Sequence, residues 1–348
     1  MCEKNTLLLK AYNPKTDKAD IEKAGELLRE GKTVIIPTET VYGLAANALD
    51  EVAVKQIFEA KGRPSDNPLI VHISELSEID RLVTNVPKEL DLLADSFWPG
   101  PLTVILPKSE EIPLGTSGGL DTVAIRMPEN EVARAVIKAA KVPLAAPSAN
   151  RSGSPSPTTF EHCVADMNGR VDAIVESSPC NVGVESTVVT LCTTPPRLLR
   201  PGAVTLSQLR RVLPDLMLDR GVLNEIDKDT TVSSPGMKYK HYAPKADIVM
   251  VKGTSVAFAK YFNSQIAKDN GCYAVCFEED IPLVWGKYMS YGKKDDHIAQ
   301  AREIFALLRN LDERNVKKAY IHAPDIDGVG LAVYNRLIRS AGFNVVEL

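Results

Sequence analysis

Cysteine is scarce in this chain: six in 348 residues, at positions 2, 163, 180, 192, 272 and 276. That spacing is too sparse for a disulfide framework and contains no CxxC pair for structural zinc, so reduced thiols are expected. The five histidines, His72, His162, His241, His297 and His322, do not fall at metal-ligand spacing either. Apolar stretches such as 33–36 and 188–192 are strand-sized, far short of the roughly 20 residues of a membrane helix. The first residues place Glu3, Lys4 and Lys10 around only three consecutive leucines, which is not the layout of a secretory signal. No membrane partner and a cytoplasmic location are therefore expected. Positive charge is not in excess: 41 Lys and Arg stand against 45 Asp and Glu, a net charge of -4. No global basic field draws nucleic acid, and aromatics at 6% offer little for base stacking, so direct nucleic-acid binding is expected to be weak or absent. No GxxxxGK[ST] occurs, which argues against a P-loop NTPase. Gly328 and Gly330 begin a dinucleotide-like glycine pattern that ends in Val333, and read instead as a tight strand-to-helix turn.

What remains is ordinary globular material, 44% hydrophobic and 25% charged, with a length that favours two domains at about 150 residues each. Apolar runs over 33–36, 69–73, 102–106, 122–126, 143–146, 173–176 and 187–191 alternate with amphipathic stretches, the pattern of an α/β domain. A helix over 51–61 puts Val54, Ile57 and Phe58 on one face and delivers Lys61 to a loop. Periodicity fails between about 220 and 245, where Ser233, Ser234, Pro235, Gly236 and Pro244 mark an irregular connection. A second series follows, with strands over 248–251, 273–277, 318–322 and 344–346 and helices over 256–268, 298–311 and 331–341. Strands separated by helices predict a small parallel, doubly wound sheet. The expected organisation is a first domain over 1–219, a linker over 220–246 and a second domain over 247–348.

Polar clusters sit at the ends of the first domain's strands. PTETVYGLAANA (37–48) brings Thr38, Glu39 and Thr40; KGRPSDNPLIVHI (61–73) sets Lys61 and Arg63 around a glycine in a proline-stiffened loop. Two cations so held suit a polyanion, although a Lys-Gly-Arg at a helix C-terminus also simply complements the helix dipole. Arg126 follows a buried-looking strand and needs an anionic partner, an internal carboxylate or a substrate, because an unpaired buried guanidinium is costly. APSANRSGSPSPT (146–158) packs hydroxyls and Asn150 between a strand and a helix start, where backbone amides and hydroxyls can cradle phosphate. GVESTVV (183–189) and LLRPGAVT (198–205) add Ser186, Thr187 and Arg200.

These motifs, in this order, resemble the YrdC superfamily and its threonylcarbamoyl-AMP synthases; SPGMKYKHYAP (234–244) with a second α/β domain resembles the two-domain form. The resemblance implies a twisted mixed sheet with flanking helices around a positively charged concavity, plus a smaller Rossmann-like parallel domain. It implies an enzyme, a nucleotidyltransferase that makes threonylcarbamoyl-adenylate and pyrophosphate from L-threonine, bicarbonate and ATP. Magnesium would accompany ATP, and the product would pass to tRNA-modifying proteins for threonylcarbamoyladenosine synthesis.

On this reading Lys61, Arg63 and Arg200 neutralise the triphosphate, with Lys61 and Arg63 acting in catalysis. Asn67, Thr122, Ser148, Asn150, Ser156 and the linker's Tyr239 add ATP contacts. Arg126 holds threonine's carboxylate; Thr40, His72, Ser186 and the backbone of Ala146 complete the amino-acid pocket. The linker, with Lys238, Lys240, Lys245, Tyr239, His241 and Tyr242, is expected to act as a lid that keeps water from the adenylate. Two other functions compete: an RNA-binding, translation-associated module, and a carbamoyltransferase that uses carbamoyl phosphate.

Overall fold

Short apolar runs separated by amphipathic segments condense into two sheets in the structure, a computed structural model that describes residues 3–65, 67–225 and 242–348. The larger sheet holds β1 (Leu7–Lys10), β2 (Val34–Ile36), β3 (Gly43–Asn47), β4 (Ile70–His72), β5 (Leu102–Pro107), β6 (Thr122–Arg126), β7 (Leu144–Ala145), β8 (Ala173–Glu176), β9 (Thr187–Thr190), β10 (Arg197–Arg200) and β11 (Met217–Leu218). Its order is β1-β8-β2-β3-β7-β4-β6-β5-β9-β10-β11, and it mixes parallel pairs such as β4 with β6 and antiparallel pairs such as β5 with β6. The second sheet is parallel in every pair: β12 (Asp247–Lys252), β13 (Tyr273–Cys276), β14 (Lys287–Ser290), β15 (Lys318–His322) and β16 (Val345–Glu347), ordered β14-β13-β15-β12-β16.

Side-chain alternation decides which face of the large sheet is filled. Val71, Val104, Val123, Ile125 and Val189 point into the main core, while Ile70, Ile105, Ala124 and Val188 form a small separate cluster on the opposite face. His72 and Arg126 follow Ile70 and Ala124 by two residues, so they share that second face, and the β4–β6 register sets them side by side. The site lies there. The helix Lys18–Arg29 packs on the helix Glu131–Ala140 at Gly25, where a β-carbon would come within 2.6 Å of Ala139. In the second domain Ile248 and Met250 face the helices His297–Glu313 and Gly330–Ser340, and Val249 and Val251 face the helix Ser255–Ile266. Both faces are covered, as the doubly wound reading required.

The helix expected over 51–61 is present with those bounds. Asp50 caps it by accepting from the amides of Val52 and Ala53, and Gly62 ends it in the left-handed conformation at φ 64°. Five strands are additional to those read from apolar patterning: β1, β3, β10, β11 and β14. β3 is the sequence GLAAN, poor in β-branched residues, and β11 has only two residues. β14 is an edge strand with no fully buried residue, so it has no apolar alternation to display.

Candidate active site

Nine of the residues expected to contact substrate line one concavity on this second sheet face, which has about 660 Å³ of empty space including its mouth: Thr40, Arg63, His72, Arg126, Ala146, Ser148, Asn150, Ser186 and Arg200. Threonines after β2 begin the wall. The Thr38 hydroxyl donates to Val41 O at 2.6 Å and lies 2.9 Å from the Thr40 hydroxyl, so a tight turn presents Thr40 inward. From the end of β6, Arg126 donates to the Thr40 hydroxyl at 2.8 Å, to Glu39 Oε1 at 2.5 Å and weakly to Gly100 O at 3.4 Å. The sought anionic partner is therefore internal: Glu39. Three of the guanidinium's five N–H groups are bonded among the described residues, and the group still borders the cavity. Burial raises the Glu39 carboxyl pKa, and the charge and hydrogen bond of Arg126 outweigh it, so the net displacement is downward.

His72 is buried beside Arg126, and its Nδ1 lies 3.1 Å from Ile70 O. Burial first, then the Arg126 charge, push its pKa down to about 3, so the ring is neutral at pH 7. Ala146 reaches the wall because its N–H donates to Ile70 O at 2.9 Å, which carries the strand direction of β7 onward to Pro147 and Ser148. On the far side, Arg200 donates to Ser186 O at 2.9 Å and to the Ser186 hydroxyl at 3.0 Å; that hydroxyl lies 2.7 Å from Thr103 Oγ1.

Lys61 is placed differently from the expectation of an open cation. It is 4% exposed, and its ammonium donates to Ser148 O and, at 2.8 Å, to Asn150 O, with Asn150 Oδ1 at 3.5 Å. Burial, and next the Arg63 charge, push its pKa down. It ties the end of its helix to the 148–150 loop, whose internal bonds run from the Ser148 hydroxyl to Asn150 Oδ1 (2.6 Å) and from Asn150 Nδ2 to Arg151 O and Ser154 O (2.7 Å each). Asn67 is 1% exposed next to the wall residue Pro68, and its Nδ2 has no partner among the described residues. Thr122 stands at the opposite end of β6 from Arg126, paired with Pro107, and does not line the concavity. Ser156 sits behind the wall and donates to Glu185 Oε1 at 2.5 Å. Tyr239 lies outside the described residues, as do positions 226–241 of the expected lid over 220–246.

Glu185, which was not singled out from sequence, and Tyr242, named there only as part of the expected lid, also line the concavity. Both face the second domain. Glu185 accepts from Arg336 Nε at 2.9 Å, and Tyr242 packs against Phe305 with ring centroids 5.2 Å apart. The domains meet closely here: a β-carbon on Gly183, at φ 82°, would fall 2.3 Å from the Arg302 backbone. An acid inside GVEST was the available signal for Glu185. Arg336, on an amphipathic helix 151 positions away, carried none.

Residues 26–202 match the Sua5/YciO/YrdC family model, described as telomere recombination, and residues 204–342 match the threonylcarbamoyl-AMP synthase C-terminal domain. The threonylcarbamoyl-AMP synthase of Pyrococcus abyssi is 43% identical over 94% of this chain and 96% of that protein. The protein of the same name in Bacillus subtilis is 41% identical over 95% and 96%. The crystal structure of P. abyssi Sua5 complexed with L-threonine superposes with a TM-score of 0.90 at 39% identity, covering 99% of this chain and all of that one. With both halves matched in order and the fold shared end to end, the chain belongs to the Sua5/YciO/YrdC family, in the form that carries the threonylcarbamoyl-AMP synthase C-terminal domain.

Proposed function

We propose that this protein is a threonylcarbamoyl-AMP synthase, which forms threonylcarbamoyl-adenylate, pyrophosphate and water from L-threonine, bicarbonate and ATP. The observation that carries the reading is the convergence of Arg63, Arg126 and Arg200 on one concavity whose other polar groups are mainly neutral hydroxyls, an amide and an uncharged imidazole. Such a wall suits anionic substrates.

Arg126, braced by Glu39, holds threonine's carboxylate with its remaining N–H groups. Thr40, Ser186, the Ala146 backbone and neutral His72 surround the amino group and side chain, and a neutral ring avoids repelling the substrate's ammonium. Once deprotonated, the amine attacks carbon dioxide derived from bicarbonate and forms a carbamate. A carbamate oxygen then attacks the α-phosphorus in line; the bond to the bridging oxygen breaks and pyrophosphate leaves. Phosphoryl-group chemistry of this kind depends on positioning and charge neutralisation. Arg63 and Arg200 supply charge directly, and Lys61 supplies it through the loop it binds, where Ser148 and Asn150 meet the nucleotide. Asn67 and Ser156 support that wall. Magnesium enters with ATP as part of the substrate. The overall step is a nucleotidyl transfer, and the adenylate is passed to tRNA-modifying proteins.

Mass spectrometry of the product formed from ¹³C-bicarbonate tests this reading. The expected adenylate carries one labelled carbon between threonine and AMP. A threonyl-adenylate without it would overturn the assignment.

A further inference from the structure

Arg336 heads the largest side chains with essentially no exposure, and most of its partners lie outside its own domain. From the helix Gly330–Ser340 it donates through Nε to Glu185 Oε2 (2.9 Å), through Nη2 to Glu185 O (3.1 Å), and through Nη1 to Pro201 O (2.6 Å) and Asn335 Oδ1 (3.2 Å). The other Glu185 oxygen accepts from Ser156 at 2.5 Å, and Glu185 itself borders the concavity. Pro201 directly follows Arg200, and Ser186 directly follows Glu185. One guanidinium thus fixes three segments of the site: Ser156 through Glu185, the 185–186 strand entry, and the 200–201 strand exit. Gly183 independently marks the same seam, because only a glycine lets the second domain's backbone come so near.

A domain that merely anchored a linker would not need a forked, fully buried cation inserted into the other domain's wall. A single contact or an apolar patch would serve, and a buried ion pair adds little net stability compared with apolar packing. We propose that Arg336 is a positioning residue through which the second domain sets the geometry of the reaction concavity, so that the two domains together form one site. This rests on the synthase reading above.

The test uses the full-length chain, with pyrophosphate release followed at varied ATP and threonine and thermal melting measured in parallel. The variants are Arg336→Lys, Arg336→Met, Arg336→Met combined with Glu185→Gln, and Arg302→Ala as an interface control. Arg302 also bridges the domains, donating to Asn181 O at 2.6 Å, but does not border the concavity. Loss of a group that orients a ligand-contacting residue typically costs 10- to 100-fold, so Arg336→Met is expected to lose roughly that much turnover. Arg336→Lys, which keeps the charge but not the fork, is expected to fall between Arg336→Met and wild type. The double variant leaves no unpaired buried charge, so its melting temperature should recover while its turnover stays low. Arg302→Ala should keep wild-type turnover.

Wild-type turnover in a folded Arg336→Lys or double variant would overturn the proposal, as would turnover that returns together with the melting temperature. If Arg336→Met fails to fold, those two variants carry the comparison. A wild-type chain with no threonine-dependent release would instead refute the synthase reading itself.

Discussion

Removing Arg126 should separate folding from substrate recognition. Arg126 and Glu39 are each 3% exposed and bonded at 2.5 Å. Arg126→Met strands the Glu39 carboxylate in the interior, with the Asn130 amide at 3.4 Å among its few remaining donors. Breaking one side of a buried pair costs about 3–5 kcal/mol. At about 2–4 °C per kcal/mol for domains of this size, the melting temperature should fall by roughly 6–20 °C. Adding Glu39→Gln removes the stranded charge, and replacing a whole buried pair by neutral groups is often close to neutral, so most of the loss should be recovered. Threonine binding should not recover. Two charge-assisted bonds to its carboxylate, at about 1.5–3 kcal/mol each, correspond to at least about a 10²-fold loss of affinity. Calorimetric titration with threonine in the presence of a non-hydrolysable ATP analogue, beside scanning calorimetry, measures both quantities. A double variant that regains both stability and wild-type threonine affinity would refute the reasoning and leave Arg126 as a purely internal ion-pair partner.

Three further outcomes follow from the same geometry. Lys61→Ala should lower turnover by about 10²-fold in steady-state pyrophosphate release, the scale of displacing groups that position a substrate, here Ser148 and Asn150; unchanged turnover would show that the 148–150 loop keeps its place without the ammonium. His72 has its pKa depressed to about 3 from an ordinary 6.5, so between those values the unfolded chain binds a proton that the folded chain does not. Stability should therefore fall as pH drops through that window, by up to about 1.4 kcal/mol per pH unit from this group; urea titrations in which wild type and His72→Gln show identical slopes would contradict it. Gly183→Ala, with its β-carbon forced against Arg302 at 2.3 Å, should loosen the domain seam and split or broaden the melting transition; a single unshifted transition would show that the seam tolerates the methyl.

The sequence carried the site further than it carried the sheet. Hydroxyls, asparagine and arginines at strand ends are visible as polar interruptions of apolar runs, and most of them do meet in space, because strand register turns distant positions such as His72 and Arg126 into neighbours. Patterning could not reveal whether a cation faces solvent or carbonyl groups: Lys61 reads the same in either case, and only the approach of the 148–150 loop decides it. Glu39 and Glu185 were within the quoted motifs, yet a carboxylate in a hydroxyl-rich stretch does not announce which guanidinium it faces. Arg336 lay beyond reach altogether, since an arginine on a helical face ordinarily signals solvent rather than an ion pair across a domain boundary. β1, β10, β11 and β14 were illegible for a related reason: their pairing partners, not their own composition, make them strands.

The central claim is that threonine and bicarbonate are joined on this protein and activated by ATP. Pyrophosphate release with each substrate omitted in turn tests it most directly. The account predicts release only when threonine, bicarbonate and magnesium-ATP are all present, and background rates when any one is withheld. Equal release without threonine would contradict it.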